Sequence, residues 1–221
     1  MIEPPGVQIF GQRELVEHLE AGGDHYSHCI SIGNPGRGFG RPDTALPPVF
    51  RRHFRRILRL AFYDVEEMRH LGTMRPRRIP RRSDVRRVIR FFRRTHREAD
   101  GYTLHCWGGV SRSTAVALGI LYLLTGSEKE AAETLLRVRP EAGPHRKIVR
   151  YFDELLGCDL TAVNDGIQLR RIERMRRELD LTEDALLEEL PGAEEGCGPL
   201  AGHPHRSALP LARSVCYDTS P

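Results

Sequence analysis

The stretch HCWGGVSRSTA, residues 105–115, lies between a strand-like segment and a helix-like segment. The preceding segment YTLHC (102–106) predicts a short strand, and the following TAVALGILYLLTG (114–126) is apolar nearly all round, which predicts a buried helix. Between them, Gly108 and Gly109 supply a backbone that can turn sharply. A strand that turns through glycines into a buried helix is typical of α/β proteins.

The rest of the chain alternates between strand and helix patterns before it becomes helical only. Strands are predicted at 7–11, 28–33, 57–65 and 102–106, with helices at 13–23 and 85–97. Ser83 or Asp84 is a candidate N-cap of the second helix. Amphipathic helices are predicted at 128–139 and 145–157, and Gly157 marks the end of the last one. We therefore expect an α/β fold with a central, mostly parallel sheet flanked by helices.

The length of 221 residues suits one domain with additional segments. We expect a catalytic domain at 1–157, a helical extension at 158–190, and a disordered tail at 191–221, which is rich in Gly, Pro, Ala and Ser. No apolar run reaches the ~20 residues that cross a bilayer, and the N-terminus lacks a secretory pattern. Five scattered cysteines indicate reduced thiols in a cytoplasmic protein. No feature of the sequence selects an oligomeric state.

The net charge of +4 is unevenly distributed along the chain. Residues 51–97 contain 17 arginines but only four acidic residues. This composition predicts either a solvated basic surface or a surface that attracts anionic ligands through its long-range field. Gly- and Pro-rich residues 34–48 and basic residues 69–82 are predicted loops.

Cys106 is a candidate nucleophile because of its position at the end of a predicted strand. A cysteine attacks as the thiolate, and an ordinary thiol with a pKa near 8.5 is mostly protonated at neutral pH. The thiol faces the first turn of the predicted helix, whose unpaired amides and dipole favour an anion. Arg112 adds a positive charge nearby. We therefore expect the thiolate form to be favoured here.

The residues after the cysteine form a candidate phosphate cradle, because glycines let successive amides point inward at a helix N-terminus. Arg112 can bind two phosphoryl oxygens at once. The expected phosphate-binding residues are Trp107, Gly108, Gly109, Val110, Ser111 and Arg112. Ser113 is placed to hydrogen-bond the sulfur and ease its departure. The natural reaction of such a site is attack of sulfur on phosphorus.

The motif HCWGGVSRS, residues 105–113, resembles the signature loop H-C-x-x-G-x-x-R-[S/T] of the cysteine-dependent protein tyrosine phosphatases. The resemblance is closest to compact dual-specificity-like and bacterial members and covers about residues 5–157. It implies a three-layer domain and a phosphomonoester hydrolase that forms a phosphocysteine intermediate without a metal or another cofactor. It also extends to PEAGPH (140–145), where Pro144 fits the family pattern and His145 replaces an expected asparagine.

A proton donor is expected on a loop after an earlier strand in proteins of this family, and Asp64 fits that place. Glu66 and Glu67 are neighbours that could serve instead. Asp84 is better explained as a helix cap and Asp100 as a turn residue before a strand. Asp64 would protonate the leaving alcohol and then activate water.

His105 is expected to orient the loop and support the thiolate, or to be a packed core histidine. Trp107 either lines the pocket rim or packs beneath the loop. A reactive thiolate would also be open to reversible oxidation by peroxide. The histidines and cysteine of residues 25–29 lack a second set of ligands, so no metal site is expected.

The expected substrate is a phosphorylated protein, with phosphotyrosine first and dual specificity allowed by a shallow pocket. Alternatives are a phosphoinositide, a nucleotide or an RNA 5′ end. A sulfurtransferase or arsenate-reductase-like site can share the spacing between Cys106 and Arg112. A non-catalytic module that binds phosphate or nucleic acid through its basic surface is the alternative from another class.

Overall fold

A four-stranded sheet organises the computed structural model, which describes residues 6–35, 47–65 and 78–188. The strands are β1 (Gly6–Gly11), β2 (His28–Gly33), β3 (Arg56–Ala61) and β4 (Gly101–Cys106). Their spatial order is β1-β4-β2-β3, and every pairing is parallel. The predicted α/β class with a central parallel sheet is therefore confirmed.

Seven helices accompany the sheet in the described residues. They are α1 (Gln12–Glu20), α2 (Pro48–His53), α3 (Arg82–Thr95), α4 (Arg112–Thr125), α5 (Glu128–Val138), α6 (Arg146–Leu156) and α7 (Leu160–Glu188). Gly157 ends α6 in the left-handed conformation, with φ of 69°, as its position predicts.

The two faces of the sheet carry separate apolar clusters, because successive strand side chains point to opposite faces. On β2, Ile30 and Ile32 join the larger cluster, which includes residues of α3, α4, α5 and α6. Cys29, the residue before Ile30, points to the other face and joins the smaller cluster with Leu15 of α1 and Phe50 of α2. The helices therefore form two layers with the sheet between them.

The carboxyl ends of all four strands lie at one edge of the sheet, because the strands are parallel. Gly11 in β1 is in register with Cys106 in β4, and Gly33 in β2 with Ala61 in β3. The segments that follow these strands therefore meet at one edge, which brings Asn34 and Asp64 towards the loop after Cys106.

Several predicted boundaries differ from the structure. The short helix α2 begins at Pro48, the last residue of a predicted loop. Helix α3 begins at Arg82, so neither Ser83 nor Asp84 is its N-cap. The side chain of Asp84 caps from within the first turn, where it accepts the Arg81 amide at 3.0 Å.

The predicted extension is one helix, α7, in the structure. Leu160 and Ile167 at its start are buried in the larger apolar cluster, and the first compact unit ends at Asp180. Of the second unit, only the helical backbone of 181–188 is described. The predicted tail at 191–221 lies outside the described residues, as do most of 34–48 and of 69–82. In the described parts of the chain, no helix combines the length and apolar character needed to cross a membrane.

Candidate active site

The loop of residues 107–111 joins β4 to α4 at the carboxyl edge of the sheet. Gly109 in this loop has φ of 70°, a conformation that favours glycine. A Cβ atom at Gly109 would lie 2.6 Å from the amide nitrogen of Gly11 and 2.7 Å from the carbonyl carbon of Phe10. Only glycine therefore lets the loop turn this tightly against the end of β1.

Neighbouring segments hold three carbonyl groups of the loop. The bonds run from Gln12 N to Trp107 O (3.0 Å), from Gly143 N to Val110 O (2.9 Å) and from His145 N to Ser111 O (3.2 Å). In a trans peptide unit the N–H points opposite to the carbonyl. The amides of Gly108, Ser111 and Arg112 therefore point away from these donors, which is the geometry that an anion-binding nest needs.

The thiol of Cys106 lies at the end of β4 and is 1% exposed. Its Sγ is 3.2 Å from Oγ of Ser113, in the first turn of α4. The N-terminal end of a helix carries a partial positive charge. The sulfur therefore has a hydroxyl partner and lies beside the N-terminal end of α4.

Arg112, the first residue of α4, is 3% exposed. Its Nη1 donates to the carbonyl oxygen of Phe62 and to Oδ1 of Asn34, both at 2.8 Å. Its Nε is 3.7 Å from Oδ2 of Asp64 and has no hydrogen-bond partner among the described residues. One edge of the guanidinium is therefore fixed, while Nε stays available to an acceptor.

Asn34 is a site residue that the sequence reasoning missed. It directly follows β2, whose carboxyl end lies beside β4 at the edge that carries the loop. A polar residue immediately after a buried strand was the available signal.

Asp64, the predicted proton donor, lies beside the loop in the segment after β3. Its Oδ1 accepts the hydroxyl of Ser111 at 2.7 Å and is 3.8 Å from Nε2 of His145. The Asp64 side chain is 41% exposed, whereas His145 is buried. The carboxyl group therefore lies between the loop and solvent. Glu66 and Glu67, the alternative donors, lie outside the described residues.

His145 occupies the position where the family pattern has asparagine. Its amide bonds the Ser111 carbonyl, and its ring faces Asp64. The segment before α6 therefore contacts both the loop and the predicted acid, although the side chain departs from the pattern.

His105 points to the opposite face of the sheet from Cys106. It is fully buried, with Nε2 2.8 Å from Oγ of Ser31 and its ring edge-on to Phe50. Burial lowers the pKa of His105 to about 3, and the positive charge of Arg59 also lowers this pKa. His105 is therefore neutral, and its contact with Ser31 links β4 to β2. The same Ser31 hydroxyl also accepts a hydrogen bond from Arg59 of β3.

Trp107 lies at the rim of the loop and is 66% exposed. With Gln12 and Val16 of α1, it lines a groove of about 580 Å³. Two positions were predicted for Trp107, and its exposed side chain lies at the rim, not beneath the loop.

Two other described cysteines and two acidic residues lie away from the loop. Burial raises the pKa of the Cys29 thiol, and burial also raises the pKa of the Cys158 thiol to about 11.

The two acidic residues have partners of their own. Asp84 pairs with Arg78 at 2.6 Å, and Asp100 accepts hydrogen bonds from Ser27 before β4 begins. The described residues contain no group of three or more His, Cys, Asp or Glu side chains placed to hold a metal ion.

Known protein structures include several that are similar to this chain. The structure of Tk-PTP in its active form has a TM-score of 0.46 and 20% identity, over 70% of this chain and 93% of that one. DUSP15 has a TM-score of 0.48 and 18% identity, over 75% and 92%. The human tyrosine phosphatase-like serine/threonine/tyrosine-interacting protein has a TM-score of 0.44 and 18% identity, over 69% and 91%.

No family model matches the chain, and no curated protein matches it. What the site can do chemically therefore rests on its own residues.

Proposed function

We propose that the chain is a phosphomonoester hydrolase that acts through a phosphocysteine intermediate. The observation that carries this proposal is Arg112, which is 3% exposed and whose Nε has no hydrogen-bond partner among the described residues. A buried N–H without a hydrogen bond is costly, and the ion pair of Nε with Asp64, at 3.7 Å, is too long to supply one. A phosphoryl group offers several oxygens, which can accept from Nε and from the inward amides of the loop together.

In the first step, the Cys106 thiolate attacks phosphorus, and the bond from phosphorus to the leaving oxygen breaks. Asp64 donates a proton to that oxygen, so the product leaves as a neutral alcohol. The position of Asp64 supports this role, because its carboxyl group is bonded to Ser111 of the loop and borders solvent.

In the second step, water attacks the phosphocysteine and Asp64 takes up its proton. The bond between sulfur and phosphorus breaks, which releases inorganic phosphate and the thiolate. The hydroxyl of Ser113, 3.2 Å from Sγ, donates a hydrogen bond to the departing thiolate. No redox change and no metal enter this balance.

The substrate class that the surroundings of the loop support first is a phosphotyrosine protein. The groove beside Trp107 lies next to the loop and offers room for side chains that flank a phosphorylated residue. Because Asp64 is partly exposed, the pocket above the loop is shallow and open to solvent. A shallow pocket can also admit the shorter side chains of phosphoserine and phosphothreonine. Phosphoinositides, nucleotides and RNA 5′ ends are the non-protein alternatives.

Hydrolysis of a small aryl phosphate in the presence of a chelator tests the proposed reaction. Cys106→Ser should abolish turnover, and Asp64→Asn should lower kcat by about 10²–10⁴-fold, because a general acid contributes that much. Cys158→Ser is the matched control and should leave the rate unchanged. Turnover that survives in Cys106→Ser would contradict the proposal.

Substrate capture then separates the substrate classes. Asp64→Ala should retain phosphotyrosine proteins from a phosphorylated lysate, and excess vanadate should release them. Faster turnover of a phosphoinositide or an RNA 5′ phosphate than of phosphopeptides would overturn the protein assignment and leave the phosphocysteine reaction standing.

A further inference from the structure

The outer surface of α3 and the turn that follows it carry a row of arginines. We call the following residues the arginine face: Arg86, Arg90, Arg93, Arg94 and Arg97. All five are exposed. The inner side of the same helix is apolar and buried, with Val88 and Phe92 in the larger cluster. The apolar side is therefore buried in the core, and the exposed side chains between residues 86 and 94 are all arginines.

Other arginines near this surface have carboxylate partners. Arg56 lies 2.7 Å from Glu98, and Arg82 lies 3.4 Å from Glu154. Among the residues that the structure describes, no carboxylate pairs with any member of the arginine face. The face therefore keeps a positive potential that a multiply charged anion would neutralise.

The shape of the arginine face suits a linear polyanion. A shallow depression of about 290 Å³ is lined by Arg86, Ile89, Arg90, Arg93 and Arg94. Arg86 and Arg94 are eight residues apart, so they span about 12 Å along a helix that rises ~1.5 Å per residue. One strand of a duplex places a charge about every 3.4 Å of its axis. The face therefore matches about three or four consecutive phosphates.

We propose that the arginine face of α3 binds the phosphodiester backbone of nucleic acid. Residues 51–97 contain arginine and no lysine, and a guanidinium can bind two phosphate oxygens at once. None of the exposed large hydrophobic residues among those described lies on α3, so the helix has no apolar side chain to insert into a membrane. This function goes beyond phosphoester hydrolysis and does not use the loop at 107–111.

Binding of the full chain to a labelled DNA duplex of about 20 base pairs, measured against salt, tests the proposal. The triple variant Arg90→Gln, Arg93→Gln, Arg94→Gln should reduce the slope of log K against log salt by about 3, because each lost phosphate contact removes ~0.9. Affinity at low salt should fall at least tenfold. Single Arg90→Gln should reduce the slope by about 1.

The matched control carries the same change in charge away from α3: Arg51→Gln, Arg52→Gln and Arg170→Gln, all at exposed positions. It should keep the slope of the unmodified chain. Equal losses in both triple variants would overturn the proposal, because net charge alone would then explain binding.

Two further measurements can also overturn it. Cys106→Ser should bind the duplex as the unmodified chain does, and loss of binding there would assign it to the loop instead. Vesicles with anionic lipids should compete weakly at equal phosphate concentration. Vesicles that bind more tightly than DNA, and release when α3 is substituted, would make the arginine face a membrane-binding surface.

Discussion

Trp107 combines a fixed backbone with a free side chain. Its carbonyl accepts the Gln12 amide at 3.0 Å, while 66% of the residue is exposed beside α1. Burial of a large apolar side chain against a partner lowers the free energy of the complex. Replacement of the indole should therefore change what the groove binds without moving the loop.

We predict that Trp107→Ala raises KM for phosphotyrosine peptides about tenfold, since ~1.4 kcal/mol of apolar contact corresponds to that factor. Its kcat with a small aryl phosphate should stay within about twofold, because the loop amides and Arg112 are untouched. Steady-state kinetics with both substrates measure the difference. Equal losses with both substrates would place the indole in the phosphate pocket itself.

The sequence predicts the central site residues because they are close in the chain. Cys106 and Arg112 are joined by one short loop, so local backbone geometry alone brings them together. The contacts of Asn34 with Arg112 and of Ser31 with His105 could not be found this way. Parallel pairing of β2 with β4 brings together residues that are more than 70 positions apart in the chain. The ring of His145 beside Asp64 is likewise a tertiary contact.

Among the helices, the long periodic segments were predicted well and the short α2 was not, whereas the short strands β1, β2 and β4 were predicted to within one residue. The apolar stripe of α3 and the all-apolar α4 give strong patterns. The six-residue α2 begins at a proline and buries only Phe50, so it gives no periodic signal. The start of α3 was misplaced because Asp84 caps from inside the helix.

The packing of α6 on α4 depends on Gly119. A Cβ atom there would lie 2.4 Å from Cε1 of Phe152, which is fully buried. Gly119→Ala should therefore lower the free energy of unfolding by about 1–3 kcal/mol, as overpacked cores do. Urea denaturation followed by circular dichroism measures this change.

Gly166 in α7 provides the matched control for Gly119. A Cβ atom at Gly166 would meet nothing within 4 Å, and alanine is the better helix former by about 0.5–1 kcal/mol. Gly166→Ala should therefore raise the free energy of unfolding. A similar loss in both variants would contradict the close approach of α6 to α4.

The stability of the first compact unit should depend on pH through its buried histidines. Burial lowers the pKa of His105 to about 3 from an ordinary value of 6.5. Burial also lowers the pKa of His28, against the opposing charge of Glu98. Both histidines are therefore neutral in the folded chain at pH values where they take up a proton when unfolded.

The sign of the effect follows from proton uptake by the unfolded state. Above about pH 7, neither state of His105 binds the proton, so the free energy of unfolding is unaffected by it. As the pH falls from 6.5 towards 3, only the unfolded chain takes up the proton, so stability falls. Between pH 7 and pH 5, His105 alone should cost about 2 kcal/mol.

Urea denaturation at pH 7 and pH 5 checks this dependence. His105→Gln should lower stability at pH 7, because the contacts with Ser31 and Phe50 are lost. It should nevertheless lose about 2 kcal/mol less than the unmodified chain between the two pH values. His28→Gln should flatten the profile in the same direction. Parallel profiles for His105→Gln and the unmodified chain would mean that His105 takes up its proton in the folded state, which its neutral, buried link between β4 and β2 does not allow.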